Sequence, residues 1–255
     1  MGSTGPFTLK MRGGIPVTRP SLHRFVSILL ICCSGWFSTS AFAIKRVPAG
    51  GRVAIVVDER LSALRLAPSL SGKLLRRIGR GGLVAVRGEK RSRDGVVFYR
   101  VNVTRRTSGW VQQEAIVSPW RAGDDARFLR LINGSEDFDR IARARIFLDY
   151  FRQSALRPEV LMIYATAAEN AAAQLSRDAS RRLDAKEMNS GGAPLHSYYL
   201  NFNALDRYNR QGITYKFDES AKRFHYDGEA WRELIQRYPR SPQAVEARRR
   251  LAGRL

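Results

Sequence analysis

Cysteine and histidine are scarce in this chain of 255 residues. Its two cysteines, Cys32 and Cys33, lie in an apolar run near the N-terminus. Two of the three histidines, His196 and His225, lie after that run. The rest of the chain therefore has no thiol for a nucleophile, a zinc site or a disulfide framework. The two histidines lack neighbouring ligands at zinc-binding spacing. The sequence predicts no catalytic residue, no metal site and no cofactor.

Acidic residues are also few, because 44 Lys and Arg stand against 23 Asp and Glu and give a formal net charge of +21. Of the basic residues, 37 are Arg and 7 are Lys. The codon usage of a GC-rich genome would produce this excess of arginine without selection for a ligand. The other explanation is an anionic partner, since a basic surface concentrates polyanions. The basic segments lack the interleaved aromatics, the recognition helix or the RNA-binding fingerprint of nucleic-acid-binding proteins, so no nucleic-acid partner is predicted.

The longest uncharged apolar run, Phe25–Phe37, has thirteen residues and follows four basic residues with no acid among them. A membrane-spanning helix needs about 20 apolar residues, so the run is typical of a signal peptide. Small residues end it at Ala43, which predicts a signal peptide over 1–43 and a protein exported to the periplasm or cell envelope. An uncleaved short anchor is the alternative. Membrane contact is expected only through this segment, and its removal leaves a net charge of +17.

From 51 to 118 the sequence alternates short apolar runs with turn residues, which is typical of small antiparallel β structure. The runs include VAIVV, LVAVRG, VVFYRVNV and GWV. The pairs Gly81-Gly82, Asp94-Gly95 and Ser108-Gly109 are predicted turns, because glycine adopts positive φ without steric cost. Alternation at Val84, Val86, Phe98 and Val101 predicts one buried strand face. About five strands in this segment would form a small barrel.

This segment resembles the bacterial SH3 (SH3b) domains of exported and cell-wall proteins. The likeness is carried by Ala63–Ser69, by Phe98–Val101 and by Gly109-Trp110-Val111, with Phe98 in place of the usual tryptophan. The resemblance implies an SH3-like barrel that binds peptide or peptidoglycan through loop and strand side chains. The candidate ligand-binding residues are Tyr99, Trp110 and Arg65. The alternative for Trp110 is that it fills the barrel core.

Helical periodicity replaces the β pattern after Pro119 and predicts a helical region over 121–255. One helix is expected to begin near Ser135, and the next begins at Pro158 and runs to about Met188. The segment 189–194, rich in Gly and Ser, predicts a linker. The segment 198–224 has no clear period.

The C-terminal pattern is clearer. Trp231, Leu234, Ile235 and Tyr238 lie at helical spacing before Pro239, and Ser241-Pro242 begins a last helix. Ala230–Leu251 resembles a tetratricopeptide half-repeat of periplasmic proteins, which implies a protein partner. A plain helical bundle is the alternative.

The predicted fold class is therefore α+β as two domains, a small SH3-like β-barrel followed by an α-helical, tetratricopeptide-like region. The predicted function is that of an exported, non-enzymatic cell-envelope binding protein. Its partners would be peptidoglycan or an envelope protein, and anionic envelope polymers fit its charge. The alternative is a cell-wall hydrolase or an activator of one, with Glu219 or Glu169 as its acid, although Asp218-Glu219-Ser220 resembles only the Glu-Ser pair of lytic transglycosylases.

Overall fold

The computed structural model describes residues 50–253, so the predicted signal peptide at 1–43 lies outside the described residues. An antiparallel sheet of seven strands comes first along the chain and has the order β3-β2-β6-β5-β4-β1-β7. Its strands are β1 (Arg52–Val56), β2 (Ala63–Arg65), β3 (Leu74–Arg77), β4 (Leu83–Arg91), β5 (Val97–Asn102), β6 (Ser108–Gln112) and β7 (Ile116–Val117). A turn of 3₁₀ helix, Gln113–Ala115, precedes β7.

Eight helices and a β-hairpin follow within the described residues. The helices are α1 (Asp124–Asn133), α2 (Asp137–Tyr150), α3 (Arg157–Arg182), α4 (Ala185–Gly191), α5 (Leu195–Leu200), α6 (Asp206–Asn209), α7 (Glu229–Arg237) and α8 (Pro242–Ala252). The hairpin strands are β8 (Tyr215–Asp218) and β9 (Arg223–Tyr226). The prediction of a β region followed by helices is confirmed. The hairpin lies within the predicted helical region 121–255, in the segment 198–224 that showed no clear period.

The seven-stranded sheet is open, because no hydrogen-bonded pairing among the described residues joins its edge strands β3 and β7. The predicted closed barrel is therefore not found. One face of the sheet nevertheless packs on itself. Its buried residues all come from the sheet segment: Ala54, Val56, Leu64, Ile78, Val84, Tyr99, Val101, Val111, Ala115 and Ile116. Because these side chains bury one another, the sheet must bend around them, and we call this cluster the inner core.

Two of the three predicted glycine turns are confirmed. Gly81 and Gly95 have φ of 71° and 82°, in the left-handed region that favours glycine. Ser108-Gly109 is not a turn, because both residues belong to β6. The chain reverses just before it, where the Val103 amide donates to the Thr107 carbonyl at 2.9 Å.

The other face of the sheet shares a core with the helices. Ile55, Val57, Leu83 and Val117 belong to the same buried cluster as the apolar faces of α1 to α3. Within residues 50–253 the sheet and the helices accordingly belong to one compact unit. The predicted division into two domains is therefore not confirmed. The change near Pro119 is a change of secondary structure within a common core.

Helix ends follow the local chemistry. Pro158 lies in the first turn of α3, as predicted, where its missing N–H costs nothing. The break after α3 comes earlier than predicted, because Asp184 caps α4 by accepting from the Lys186 and Glu187 amides at 2.7 and 2.9 Å. α4 then continues to Gly191, so the predicted linker at 189–194 shrinks to the three residues before α5, which include Gly192 with φ 70°.

The C-terminal helix pair is confirmed. Trp231 and Leu234 are buried on α7, and Ala244 and Ala247 are buried on α8. The Ser241 side chain accepts from the Ala244 amide at 3.2 Å and caps α8. The pair packs on α3, so it closes the helical part of the core.

Candidate functional site: the outer face of the sheet

Two of the three sequence-predicted site residues lie side by side. Arg65 on β2 is the register partner of Trp110 on β6, and Trp110 is in turn the partner of Arg100 on β5. Directly opposed residues in an antiparallel pair point to the same face. Arg65, Trp110 and Arg100 therefore form a line across three strands, which we call the Arg–Trp–Arg row.

The row lies on the outer face of the sheet. Val111 and Val101, next to it on β6 and β5, belong to the inner core, and alternation turns Trp110 and Arg100 the other way. Trp110 is half-buried and Arg100 is exposed. The alternative interpretation, in which Trp110 fills the core, is therefore wrong. Part of its side chain stays exposed on the outer face.

Tyr99, the third predicted residue, lies on the opposite face. It is 6% exposed within the inner core, and its register partner is Val111. Its hydroxyl accepts a hydrogen bond from the Arg121 guanidinium, whose carbon also lies 5.5 Å from the ring centroid. A ligand on the outer face cannot reach this ring. The prediction of Tyr99 as a ligand-binding residue is wrong, because adjacent strands place Tyr99 and Trp110 on different faces.

Gly109 makes the row possible. A Cβ atom at Gly109 would lie 2.7 Å from the Arg65 carbonyl oxygen and 2.9 Å from Cγ of Leu64. Such distances are too short for a real side chain, so β2 can approach β6 this closely only at a glycine. The G-W-V sequence thus supplies both the tryptophan and the gap that brings Arg65 beside it.

The hairpin between β2 and β3 orients Arg65. Nη1 of Arg65 donates to the Gly72 carbonyl at 2.8 Å, which uses one of the five N–H groups of the guanidinium. A guanidinium that is held at one end and open at the other can still bind a carboxylate or phosphate. The row therefore presents two cations on either side of an aromatic ring, an arrangement suited to an anionic ligand with a flat or apolar face.

Four further cations of the sheet segment lie in water. Arg93, Arg105 and Arg106 are exposed in turns, and Arg91 is exposed at the end of β4. Solvated charges of this kind attract anions over a distance but position nothing.

A basic concavity of about 790 Å³ lies between α3, β9 and α8. The sequence did not predict it. Arg249 and Arg250 line it, but both hydrogen-bond Glu246 within α8, at 2.8 and 2.7 Å. Arg249, together with Arg250, lowers the pKa of the Glu246 carboxyl to about 2. These two guanidinium groups already have a carboxylate partner, and Arg177 and Arg223 complete the basic lining. We take the Arg–Trp–Arg row as the candidate site because it places two arginines in register with a tryptophan.

The two acids considered for a hydrolase, Glu219 and Glu169, both contact other side chains. Glu219 is exposed at the β8–β9 turn, with Oε1 2.7 Å from Nδ1 of His196. Glu169 accepts from the Trp231 indole at 2.8 Å and from Arg250 at 3.1 Å, which ties α3 to α7 and α8. Glu169 also lines the concavity between α3, β9 and α8.

Within residues 50–253, no group of three or more His, Cys, Asp or Glu is placed to hold a metal ion. None of the helices in that part of the chain combines the length and the apolar character needed to cross a bilayer. In comparisons with known proteins, no protein-family model matches the chain, and neither a curated protein nor a solved structure matches it. The resemblance to bacterial SH3 domains therefore depends on the residues quoted above.

Proposed function

We propose that this chain is an exported, non-enzymatic protein of the cell envelope whose sheet binds the peptide-bearing strands of peptidoglycan. The observation that carries the proposal is the Arg–Trp–Arg row. Wall peptides carry carboxylates, which guanidinium groups bind with charge-assisted hydrogen bonds. The indole between the two arginines offers an apolar face for the peptide or sugar beside those carboxylates.

The fold adds support at a coarser level. Strands β6, β5, β4, β1 and β7 are consecutive neighbours, and they supply most of the inner core, to which Leu64 of β2 and Ile78 also belong. We infer that they are an opened version of the small barrel that the SH3b resemblance implies. In this proposal β2 and β3 extend the barrel at one edge and supply Arg65.

The helices have a separate role in this proposal. They cover the outer face of the sheet at β1 and β7 but leave Arg65, Trp110 and Arg100 at least partly exposed. Their own outer surfaces would engage a protein partner of the envelope, as the tetratricopeptide-like C-terminal pair implies. A ligand on the Arg–Trp–Arg row would then leave that surface accessible.

Co-sedimentation with purified peptidoglycan sacculi tests the proposal. The chain from Ile44 onward should sediment with sacculi at physiological salt, because a specific site resists screening better than scattered surface charge. Arg100→Gln should weaken binding about tenfold, the usual worth of one charge-assisted hydrogen bond. The matched control is Arg93→Gln, which removes the same charge from a turn and should bind like the original protein. Equal losses in both variants would show attraction by net charge alone and refute the site.

A further inference from the structure

The concavity between α3, β9 and α8 runs along one side of α3. The residues of α3 that line it are Glu169, Ala172, Ala173, Ser176 and Arg177. Their spacing of three and four residues places them on neighbouring turns of one helix face. With a rise of about 1.5 Å per residue, Glu169 and Arg177 lie about 12 Å apart along the axis. The concavity is therefore elongated, with an acid at one end and a base at the other, and we call it the α3 groove.

The two arginines of α8 that line the α3 groove already have acidic partners. Arg250 donates to Glu246 at 2.7 Å and to Oε2 of Glu169 at 3.1 Å. Arg249 donates twice to Glu246, both times at 2.8 Å. Two guanidinium groups thus share two carboxylates on this side. An anion that binds here would have to displace a carboxylate that the helices already hold.

The other two arginines of the lining have no ion pair in the described part of the chain. Arg177 is exposed on α3 and donates to the neutral side-chain amide of Gln174 at 3.2 Å. Arg223 is exposed on β9. Asp218, its register partner on β8, is not part of the groove lining and already accepts from the amide and the hydroxyl of Ser220, at 2.9 and 2.7 Å. The unbalanced positive charge of the groove therefore lies at Arg177 and Arg223.

A buried hydrogen bond fixes the positions of these two arginines relative to each other. Oγ of Ser176 accepts from the Phe224 amide at 2.8 Å and donates to the Ala172 carbonyl at 2.7 Å. Arg177 follows Ser176 in the chain, and Arg223 precedes Phe224. Because this bond holds β9 against α3, the two arginines line the same end of the groove, one from a helix and one from a strand.

Two guanidinium groups on different elements favour a phosphate over a carboxylate. A guanidinium binds an anion best through two parallel N–H···O bonds. A carboxylate has two oxygens in one plane, so two guanidinium groups that come from different elements compete for them. A phosphomonoester has three free oxygens in a tetrahedral arrangement and a charge of about −1.5 to −2 at pH 7. It can therefore accept from both guanidinium groups at once.

The rest of the α3 groove suits a neutral, elongated body. Between its charged ends the groove is lined by Ala172, Ala173 and Phe224. Its volume of about 790 Å³ lies in the range of small-molecule sites, roughly 300 to 1,000 Å³. Glu169, at the far end, repels a second anionic group. A ligand with a single anionic end therefore fits better than a polyanion.

We propose that the α3 groove binds a small molecule with one terminal phosphate, held by Arg177 and Arg223, and a neutral body that lies along α3 toward Glu169. The proposal does not depend on peptidoglycan binding, because the Arg–Trp–Arg row belongs to other elements. Membrane lipids carry related phosphate groups. A phosphodiester has only two free oxygens and one charge, so we expect it to bind more weakly, and the experiment includes an arm for it.

Proton NMR of the histidines tests the proposal. The chain from Ile44 onward contains two histidines, His225 in the groove lining and His196 outside it. At a fixed pH near about 7.5, where a phosphomonoester is mostly doubly charged, hexyl phosphate should shift the His225 ring signals saturably. The His196 signals should stay in place. Heptanoate and inorganic phosphate should each bind at least about tenfold more weakly, because the first has too few oxygens and the second lacks the apolar body.

Three variants make the result specific. Arg177→Gln and Arg223→Gln should each weaken the binding of hexyl phosphate about tenfold, the usual worth of one charge-assisted hydrogen bond. The matched control is Arg182→Gln, which removes an exposed arginine of α3 outside the groove lining and should bind like the original protein. All three variants should keep their urea midpoint. Binding to sacculi is measured separately and should not change, so this proposal and the proposed function can fail independently.

Four results would overturn the proposal. The first is the absence of a saturable His225 shift with hexyl phosphate. The second is equal binding of heptanoate, or an equal loss in Arg182→Gln, because net charge alone would then explain the binding. The third is inorganic phosphate that binds as tightly as hexyl phosphate, which would leave no role for the neutral body. The fourth comes from vesicles of phosphatidylcholine with one quarter phosphatidylglycerol: if they broaden the His225 signals while hexyl phosphate does not shift them, the groove binds membrane lipid.

Discussion

The backbone of Arg65 lies so close to Gly109 that a Cβ atom on the glycine would come within 2.7 Å of the Arg65 carbonyl oxygen. Gly109→Ala should therefore push β2 away from β6 and lower the free energy of unfolding by about 1 to 3 kcal/mol, the usual cost of overpacking. The matched control is Gly88→Ala on β4, where nothing lies within 4 Å of the added atom. Urea unfolding measures both. A Gly109→Ala protein as stable as the Gly88→Ala protein would contradict the close approach.

Arg143 joins the sheet to the helices. Its Nε donates to the Val57 carbonyl at 3.1 Å, and its Nη1 donates to Oγ of Ser135 at 2.6 Å. Arg143→Met should cost about 1 to 3 kcal/mol of unfolding free energy, because the buried carbonyl loses its donor. Arg130→Met, an exposed change on α1, is the control and should be close to neutral. A single cooperative urea transition, shifted only for the Arg143 variant, is expected. Two separate transitions would contradict the shared core.

Alkaline titration should show late ionisation of three buried tyrosines, Tyr164, Tyr215 and Tyr226. Burial raises the pKa of each hydroxyl above its ordinary 10, and for Tyr164 to about 12. A raised pKa in the folded state means that the associated stability is complete below pH 10 and is lost as the pH rises from there through about 12. Tyrosinate absorbance should rise in two phases, the second together with loss of circular dichroism. A single rise of tyrosinate absorbance near pH 10, with intact circular dichroism, would contradict the burial of these three hydroxyls.

Trypsin should distinguish the connection after the sheet from α4, which overlaps the predicted linker at 189–194. The Ser118 amide donates to the Asp124 carboxylate at 2.8 Å, and Nη2 of Arg121 donates to the same carboxylate at 2.6 Å. These bonds order the connection after the sheet. α4, which contains Lys186, is exposed except at Met188. Cleavage after Lys186 should therefore precede cleavage after Arg121, as read by intact mass. Early fragments that end at Arg121 would show that the connection after the sheet is loose.

Much of the fold could be predicted because its periods are simple. The alternation around Val84 and Val101 indicated the inner core, and the spacing of Trp231 and Leu234 indicated α7. The shared core was missed, although VAIVV contains its signal. A strand with no polar residue is typical of burial on both faces. Ala54 and Val56 do face the inner core, while Ile55 and Val57 face the helices.

The hairpin β8–β9 was missed for a similar reason. Its aromatics alternate, with Tyr215 and Phe217 on one strand and Phe224 and Tyr226 on the other. A search for helical periodicity passes over a period of two in strands this short. The site was predicted in part: Arg65 and Trp110 were named from a resemblance, but the face of Tyr99 and the role of Arg100 depend on strand register. Register comes from tertiary pairing, which a single sequence does not display.

The central claim, that the Arg–Trp–Arg row binds peptidoglycan, can be tested through the NMR signal of the Trp110 indole N–H group. The chain from Ile44 onward contains three tryptophans, and their indole N–H groups give separate NMR signals. The Trp120 and Trp231 indoles donate to the Val53 carbonyl and to Glu169, each at 2.8 Å, and should not respond to a ligand on the row. Titration with a soluble peptidoglycan fragment that carries its peptide should move the Trp110 signal saturably and leave the other two in place. Binding of the fragment with an unchanged Trp110 signal would contradict the claim.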